Sequence, residues 1–360
     1  WEDYRERVWL LQAVWRHRDE QYLFQARDLL TRRLEPSPLD RAKIETITQR
    51  VLADQQYADK MGQQLLIFRG RGGTGKTVRL LQLANQLYQE RGDRVLILSY
   101  NTALVADLRR LLHMMHITEA VAERSISIRT VHSFMGILLR ELGVVAQDEP
   151  DFYDTYDRFK AQALALLEDT QPDDLEDILL ARPEVFDWDY VLIDEAQDWP
   201  PDERDILYHL YGHRRFVLAD GMDQFVRGSQ KTNWRVRVPR RESQIVTLQK
   251  SLRLKAGLAT FVQTFAQQLG LHEWQVEPNT DVYGGRILIL VGNYNQALHA
   301  DLLEHHLQQG NHPIDMLFCL PPDMVGMHGQ RADRSDLGTR LVQWGYQVWD
   351  GTAQTTRQSY

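Results

Sequence analysis

Cysteine is almost absent: Cys319 is the only one, so no internal disulfide can form and a reducing, cytoplasmic setting is expected. No apolar run approaches the roughly eighteen residues that cross a bilayer, which removes a membrane partner from the expectations. Net positive charge is missing too. Lys and Arg number 42 against 50 Asp and Glu, a formal charge of -8, so any contact with a polyanion must come from a local groove or patch. The chain opens Trp1-Glu2-Asp3, without a methionine or a signal-like start, which points to a piece of something longer. Internal repeats and low-complexity tracts are also lacking.

What is present is ordinary globular material, with 43% hydrophobic and 26% charged residues. A length of 360 residues suits two compact units better than one. From Gln64 onward, short β-branched or leucine-rich runs alternate with segments of helical period, the pattern of βαβ units and a parallel sheet. Residues 65–68, 95–98, 126–128, 191–193 and 216–218 read as core strands, and 77–89, 103–113, 131–141 and 202–211 as the helices covering them. Further on, 287–291 and 316–320 read as strands flanking a helix at 296–308, the start of a second unit. The expected organisation is a helical extension over 1–60, an α/β domain over 61–250 with a short helical insert near 143–186, and a partial second domain over 251–360. The insert is acidic, which suits a solvated helical face.

Gly70-Arg71-Gly72-Gly73-Thr74-Gly75-Lys76-Thr77 follows an expected strand and opens an expected helix, the context a phosphate-binding loop requires. Its glycines let the backbone turn tightly, so that N–H groups converge on phosphate oxygens at the positive end of the helix. Lys76 would reach the β- and γ-phosphates and Thr77 would offer a hydroxyl to Mg²⁺, so ATP and Mg²⁺ are the expected ligands. The second signal is the apolar strand ending in Asp194-Glu195-Ala196-Gln197-Asp198. Asp194 suits a metal ligand and Glu195 a base for the attacking water. Adjacent carboxylates before Pro200-Pro201 also suit a helix N-cap and a first-turn acid.

With these two motifs in place, the chain resembles the UvrD/Rep-like superfamily 1 helicases, whose form of the carboxylate motif is Asp-Glu-Ala-Gln-Asp. The resemblance implies a RecA-like, doubly wound ATPase domain followed by part of a second one. Leu98 to Ala103 is similar to the family's motif Ia, which implies strand contacts from Tyr100 and Asn101; Thr130 to Phe134 is similar to its Thr-x-His-Ser-Phe element, which adds His132, Ser133 and Phe134. Leu218 to Gln224 looks like motif III, with Gln224 as γ-phosphate sensor, and Leu248 to Arg253 like motif IV, with Arg253 stabilising charge on the transferred group. Taken singly, His132 also suits a core histidine, Gln224 a turn residue and Arg253 a surface charge.

This chain departs from the family at several places. Leu252 stands where many relatives have a tyrosine stacked on adenine, and the tryptophan expected soon after motif III comes only at Trp234. Motifs V and VI have no match before Tyr360, so the resemblance implies that part of the transition-state machinery lies outside this stretch. Basic residues at Arg109-Arg110, His213 to Arg215 and Arg235 to Arg241 suit phosphate contacts or a solvated strand edge equally. The function implied is ATP-driven movement on single-stranded nucleic acid, with DNA as the track, RNA as its alternative and a 3′ to 5′ direction. A nucleotide-dependent switch serving protein partners or flanking domains is the alternative in kind.

Overall fold

The computed structural model describes residues 36, 38–49, 56–117, 124–146, 152, 154–222, 231–271, 277–279, 287–310, 313, 316–320, 335–348 and 350. Compact units divide at Arg286/Ile287.

The first unit is built on strands β1 (Leu65–Gly70), β2 (Arg94–Ser99), β3 (Ser125–Thr130), β4 (Tyr190–Ile193), β5 (Phe216–Gly221) and β6 (Ser243–Leu248). They run in the order β3-β2-β4-β5-β1-β6, every pair parallel. Four of them read as continuous apolar runs because both faces of the sheet are covered. Alternation assigns the faces. Leu65, Ile67, Leu96, Leu98, Val191, Ile193, Phe216 and Leu218 point to one core, while Leu66, Phe68, Val95, Ile97, Leu192, Val217 and Ala219 point to the other. The edge strand β6 escaped the sequence reading because Ser-Gln-Ile-Val-Thr-Leu is half polar and only half buried.

Helices α1 (Pro38–Thr48), α2 (Lys76–Gln86) and α3 (Thr102–Met114) bear on the second core, and α4 (Val131–Glu141), α5 (Tyr156–Asp169), α6 (Pro172–Ala181), α7 (Pro183–Phe186) and α8 (Pro201–Tyr211) on the first. The acidic insert is thus more than a solvated face. Its helix α5 sends Tyr156, Phe159, Ala163 and Leu167 into the core beside Ile206, Leu207 and Leu210 of α8. Ahead of the sheet, α1 is pinned by a two-pronged ion pair from Arg110 to Asp40, at 2.6 and 2.9 Å, and by Lys43 to Asp107 at 2.7 Å. The basic run at Arg235 to Arg241 is not a strand edge: it forms a turn at 234–237 and a 3₁₀ turn at Arg240–Glu242 leading into β6. A parallel pair, β7 (Lys250–Lys255) and β8 (Glu277–Asn279), and helix α9 (Ala256–Gln268) complete the unit.

In the second unit, α10 (Gln296–Gln308) and α11 (Asp336–Gln343) carry the regular structure. Residues 287–291 and 316–320, expected as strands, join no β-ladder among the described residues. A strand needs a neighbour for its N–H and C=O groups, and these runs stand open, Ile289 at 76%, Val291 at 97% and Leu317 at 84% exposure. The unit's buried centre is His299, ringed by Tyr294, Phe318, Trp344 and Tyr346, with Tyr294 Oη 2.7 Å from His299 Nδ1. Burial holds the His299 pKa below its ordinary value. A histidine depressed on folding contributes stability that is present above its unfolded pKa and lost as pH falls through the folded one. Thermal unfolding of the whole chain should therefore show a transition that weakens from pH 7 to pH 5 and weakens less in His299→Gln; an identical pH response in both proteins would contradict this.

Candidate nucleotide site and the rim beside it

The loop from Gly70 to Thr77 crosses from the tip of β1 to the start of α2. Gly73 and Gly75 take positive φ, 78° and 85°, a conformation open to glycine at no steric cost. Gly70 is fixed by crowding instead, since a Cβ there would lie 2.8 Å from the Leu248 carbonyl oxygen and 2.4 Å from Thr74 Oγ1. Thr74 closes the turn by donating its hydroxyl to Arg71 O at 2.8 Å, and Gly72 is exposed at the crest. Lys76 is buried, with Nζ donating to the carbonyls of Gly70 and Arg71, each at 3.0 Å. Its ammonium lies inside the loop, where phosphate oxygens would converge.

Between β1 and the carboxylate strand β4 runs β5, so only the ends of the elements can bring the two motifs together. They do: Thr77 Oγ1 donates to Asp194 Oδ1 at 2.9 Å. Asp194 is 2% exposed and its pKa is pushed up to about 6, by burial first and by the Glu195 carboxylate second, against hydrogen bonding from Thr77. Glu195 sits in the left-handed region at φ 48° and ψ 46°, a costly conformation for a residue with a side chain and one that clusters at functional sites. It starts no α-helix, because Ala196–Asp198 is a 3₁₀ turn and α8 begins at Pro201.

Gln197 belongs to this site, and sequence reasoning assigned it no role. Its Nε2 donates to Glu195 Oε2 at 2.7 Å and its Oε1 accepts from Gly221 N at 2.6 Å. Leu252 also arrives from far along the chain. Its N–H donates to Gly73 O at 2.7 Å, and a Cβ on Gly75 would come within 2.6 Å of Leu252 Cδ1. Gly75→Ala should therefore suffer from the strained backbone, costing about 1–2 kcal/mol, while the half-exposed end of Leu252 can swing aside. ATP titration should show about a tenfold weaker affinity, little changed in Gly75→Ala/Leu252→Ala, and unchanged affinity in Gly75→Ala would contradict that strain.

The expected strand contacts lie at the tips of β2 and β3 and have separate fates. Asn101 and Ser133 are exposed; Asn101 Oδ1 caps α3 by accepting from Leu104 N, and Ser133 N donates to the capping Thr130 Oγ1. Tyr100 and His132 are half-buried with rings 5.4 Å apart. Phe134 is a correction: it is fully buried among Met135, Leu138 and Phe186, because the period of α4 turns it to the core. A side chain with no exposure touches no strand. Gln224 lies outside the described residues, as does the side chain of Arg253, whose backbone is in β7.

Beneath Tyr100 lies a buried ionic cluster. Glu203, 0% exposed, accepts from the hydroxyls of Tyr100 and of Tyr156, the latter at 3.0 Å, and Lys160 Nζ stands 3.7 Å from it and 3.0 Å from Asp202. The Tyr100 ring also meets Trp199, whose indole N–H donates to Asp194 O at 3.2 Å. The rim and the carboxylate tip thus share one packed layer.

No known family pattern matches this sequence, and no curated protein does. Similar solved structures include unliganded Pif1 from a Bacteroides species, at TM-score 0.32 and 14% identity over 62% of this chain and 48% of that one. Another is arterivirus nonstructural protein 10, a helicase, at TM-score 0.30 and 13% identity over 65% of this chain and 47% of that one. The chain thus spans about half the length of each. The first unit has a RecA-like fold. That assignment stands on the all-parallel strand order and on a glycine-rich strand-to-helix loop at the tip of β1, two strands from the carboxylates. No helix among the described residues is long and apolar enough to cross a membrane.

The oxygens gathered at the tips also suit a metal. A threonine hydroxyl and a carboxylate are hard donors, and no group of three or more His, Cys, Asp or Glu forms a cage among the described residues. Such a partial set fits Mg²⁺, which binds through one or two carboxylates together with phosphate oxygens and keeps several waters.

Proposed function

We propose that this chain binds and hydrolyses ATP and that the reaction drives movement along single-stranded nucleic acid. The observation that carries the chemistry is the 2.9 Å bond from Thr77 to Asp194, which joins residues 117 positions apart at one point beside the buried Lys76.

In this proposal Lys76 exchanges the carbonyls of Gly70 and Arg71 for β- and γ-phosphate oxygens, and the loop N–H groups hold the rest. Thr77 and Asp194 would hold Mg²⁺, which when bound neutralises charge on the phosphates. Glu195 accepts a proton from water as the water oxygen bonds the γ-phosphorus. The bond from that phosphorus to the β–γ bridging oxygen breaks, its electron pair leaves with ADP, and inorganic phosphate is the other product. Gln224 is proposed as the γ-phosphate sensor and Arg253 as a source of transition-state charge.

Tyr100, Asn101, His132 and Ser133 form the proposed rim for the strand. Single-stranded DNA as track, with RNA as its alternative, and 3′ to 5′ travel follow the resemblance to UvrD/Rep-like proteins. The second unit is proposed as the start of the second RecA-like domain, whose closure would step the strand. The test is steady-state ATP hydrolysis with and without single-stranded DNA or RNA. Stimulation by one of them is expected, because a motor couples its two sites; hydrolysis indifferent to both would overturn the motor in favour of a protein-facing switch.

A further inference from the structure

Gln197 is 1% exposed, in the layer between the tips of β4 and β5. Its two amide atoms have fixed roles. The Gly221 N–H can only donate, so it takes Oε1 at 2.6 Å; the Glu195 carboxylate, when ionised, can only accept, so it takes Nε2 at 2.7 Å. A flipped amide would set donor against donor and acceptor against carboxylate, which pins the group in one orientation. The backbone pins it as well, since Gln197 O accepts from Thr232 N at 3.1 Å.

The other anchor of this bridge is the nucleotide loop's own strand. Gly221 is the last residue of β5 and pairs in register with Gly70, the first residue of the loop. A Cβ on Gly221 would lie 2.7 Å from Gln197 Nε2 and 2.8 Å from its Cδ, so the amide packs flat on that glycine. One carboxamide therefore ties the Glu195 carboxylate to a strand whose position relative to the phosphate loop is set by the sheet.

We propose that Gln197 is the positioning residue for Glu195, holding the base in register with the phosphate loop through Gly221, a role that rests on the proposed ATP hydrolysis. Glu195 needs such a brace because its left-handed backbone leaves its side chain without a helix to direct it. A misplacement of about 1 Å at a reacting group can cost on the order of 10²-fold in rate. ATP binding, in contrast, depends on the loop and Lys76, which Gln197 does not touch in any of these bonds.

The experiment compares the full chain with Gln197→Met, Gly221→Ala, Glu195→Gln and Glu195→Gln/Gln197→Met, measuring kcat, KM for ATP and single-turnover rates with Mg²⁺. Gln197→Met keeps the bulk and loses both bonds, whereas Gly221→Ala keeps the glutamine and displaces its amide, so a folding failure of one leaves the other. Each is expected to lower kcat about 10- to 100-fold at unchanged KM, the scale of loss that a misplaced base entails. The rate loss should also vanish to within about twofold in the Glu195→Gln background, because residues acting as a unit are non-additive. A kcat near that of the wild type in both single variants, with Glu195→Gln inactive, would overturn the positioning role alone. Equal losses in both backgrounds would also overturn it, as a merely structural effect. Full turnover by Glu195→Gln would instead remove the catalytic role assigned to Glu195.

Discussion

Glu195→Gln is expected to slow ATP hydrolysis by about 10²- to 10⁴-fold, the usual contribution of a positioned general base, while ATP affinity stays within about twofold. The substitution keeps the shape of the side chain and keeps an oxygen that can accept from Gln197 Nε2. What it removes is the ability to take a proton. Affinity is retained because the loop, Lys76 and Thr77 are untouched, and Asp194 keeps the hydrogen bond from Thr77 and the nearby Lys76 charge while losing only the repulsion of Glu195. Steady-state turnover beside a titration with a fluorescent ATP analogue separates the two quantities. Undiminished turnover would remove Glu195 from the chemistry, and a parallel collapse of affinity would mean that the carboxylate shapes the loop and does not serve the water.

Lys160→Met is expected to cost the fold about 3–5 kcal/mol, the penalty for leaving a buried ion pair half empty. The side chain of Lys160 is 3% exposed and faces Asp157, Asp202 and Glu203, of which Glu203 is fully enclosed. Burial already raises the Glu203 pKa against the hydrogen bonds from Tyr100 and Tyr156 and the charge of Lys160. Without the ammonium it rises further. A carboxyl raised on folding contributes stability that is present while it is protonated and is lost as pH climbs through the folded pKa. The deficit of Lys160→Met should therefore be larger at pH 8 than at pH 5.5 in chemical denaturation, and Lys160→Met/Glu203→Gln should recover much of it. A loss under 1 kcal/mol, or one independent of pH, would show that the cluster is solvated and contributes little.

Much of the first unit could be read from the chain because the signals there are local. Four strands with two buried faces appear as short apolar runs and β3 as an alternating one, and the loop at the tip of β1 appears as a glycine-rich run before Lys76 and Thr77, with positive φ at Gly73 and Gly75 that only glycine takes freely. The edge strand β6 was missed since half-burial leaves a mixed pattern, and 287–291 and 316–320 were over-read since apolar runs signal a strand without supplying its neighbour. Phe134 shows the same limit at one residue. It adjoins His132 and Ser133 in sequence, yet one step along a helix turns a side chain by roughly 100°, from the rim into the core.

The amino-acid sequence by itself therefore determined five of the six strands of the main sheet, most of the helices that cover them and the residue types at the tips of β1 and β4, all set by neighbours within a few positions. Tertiary structure decided which strands lie side by side and which distant groups meet. It placed β5 between the two motifs, set Thr77 on Asp194, brought Leu252 onto Gly73, closed Lys160 and Glu203 into one cluster, and bridged Glu195 to Gly221 through Gln197. Periodicity carries no information about such pairings, because they follow from the summed packing of both faces of the sheet, to which every element contributes and no single segment reports.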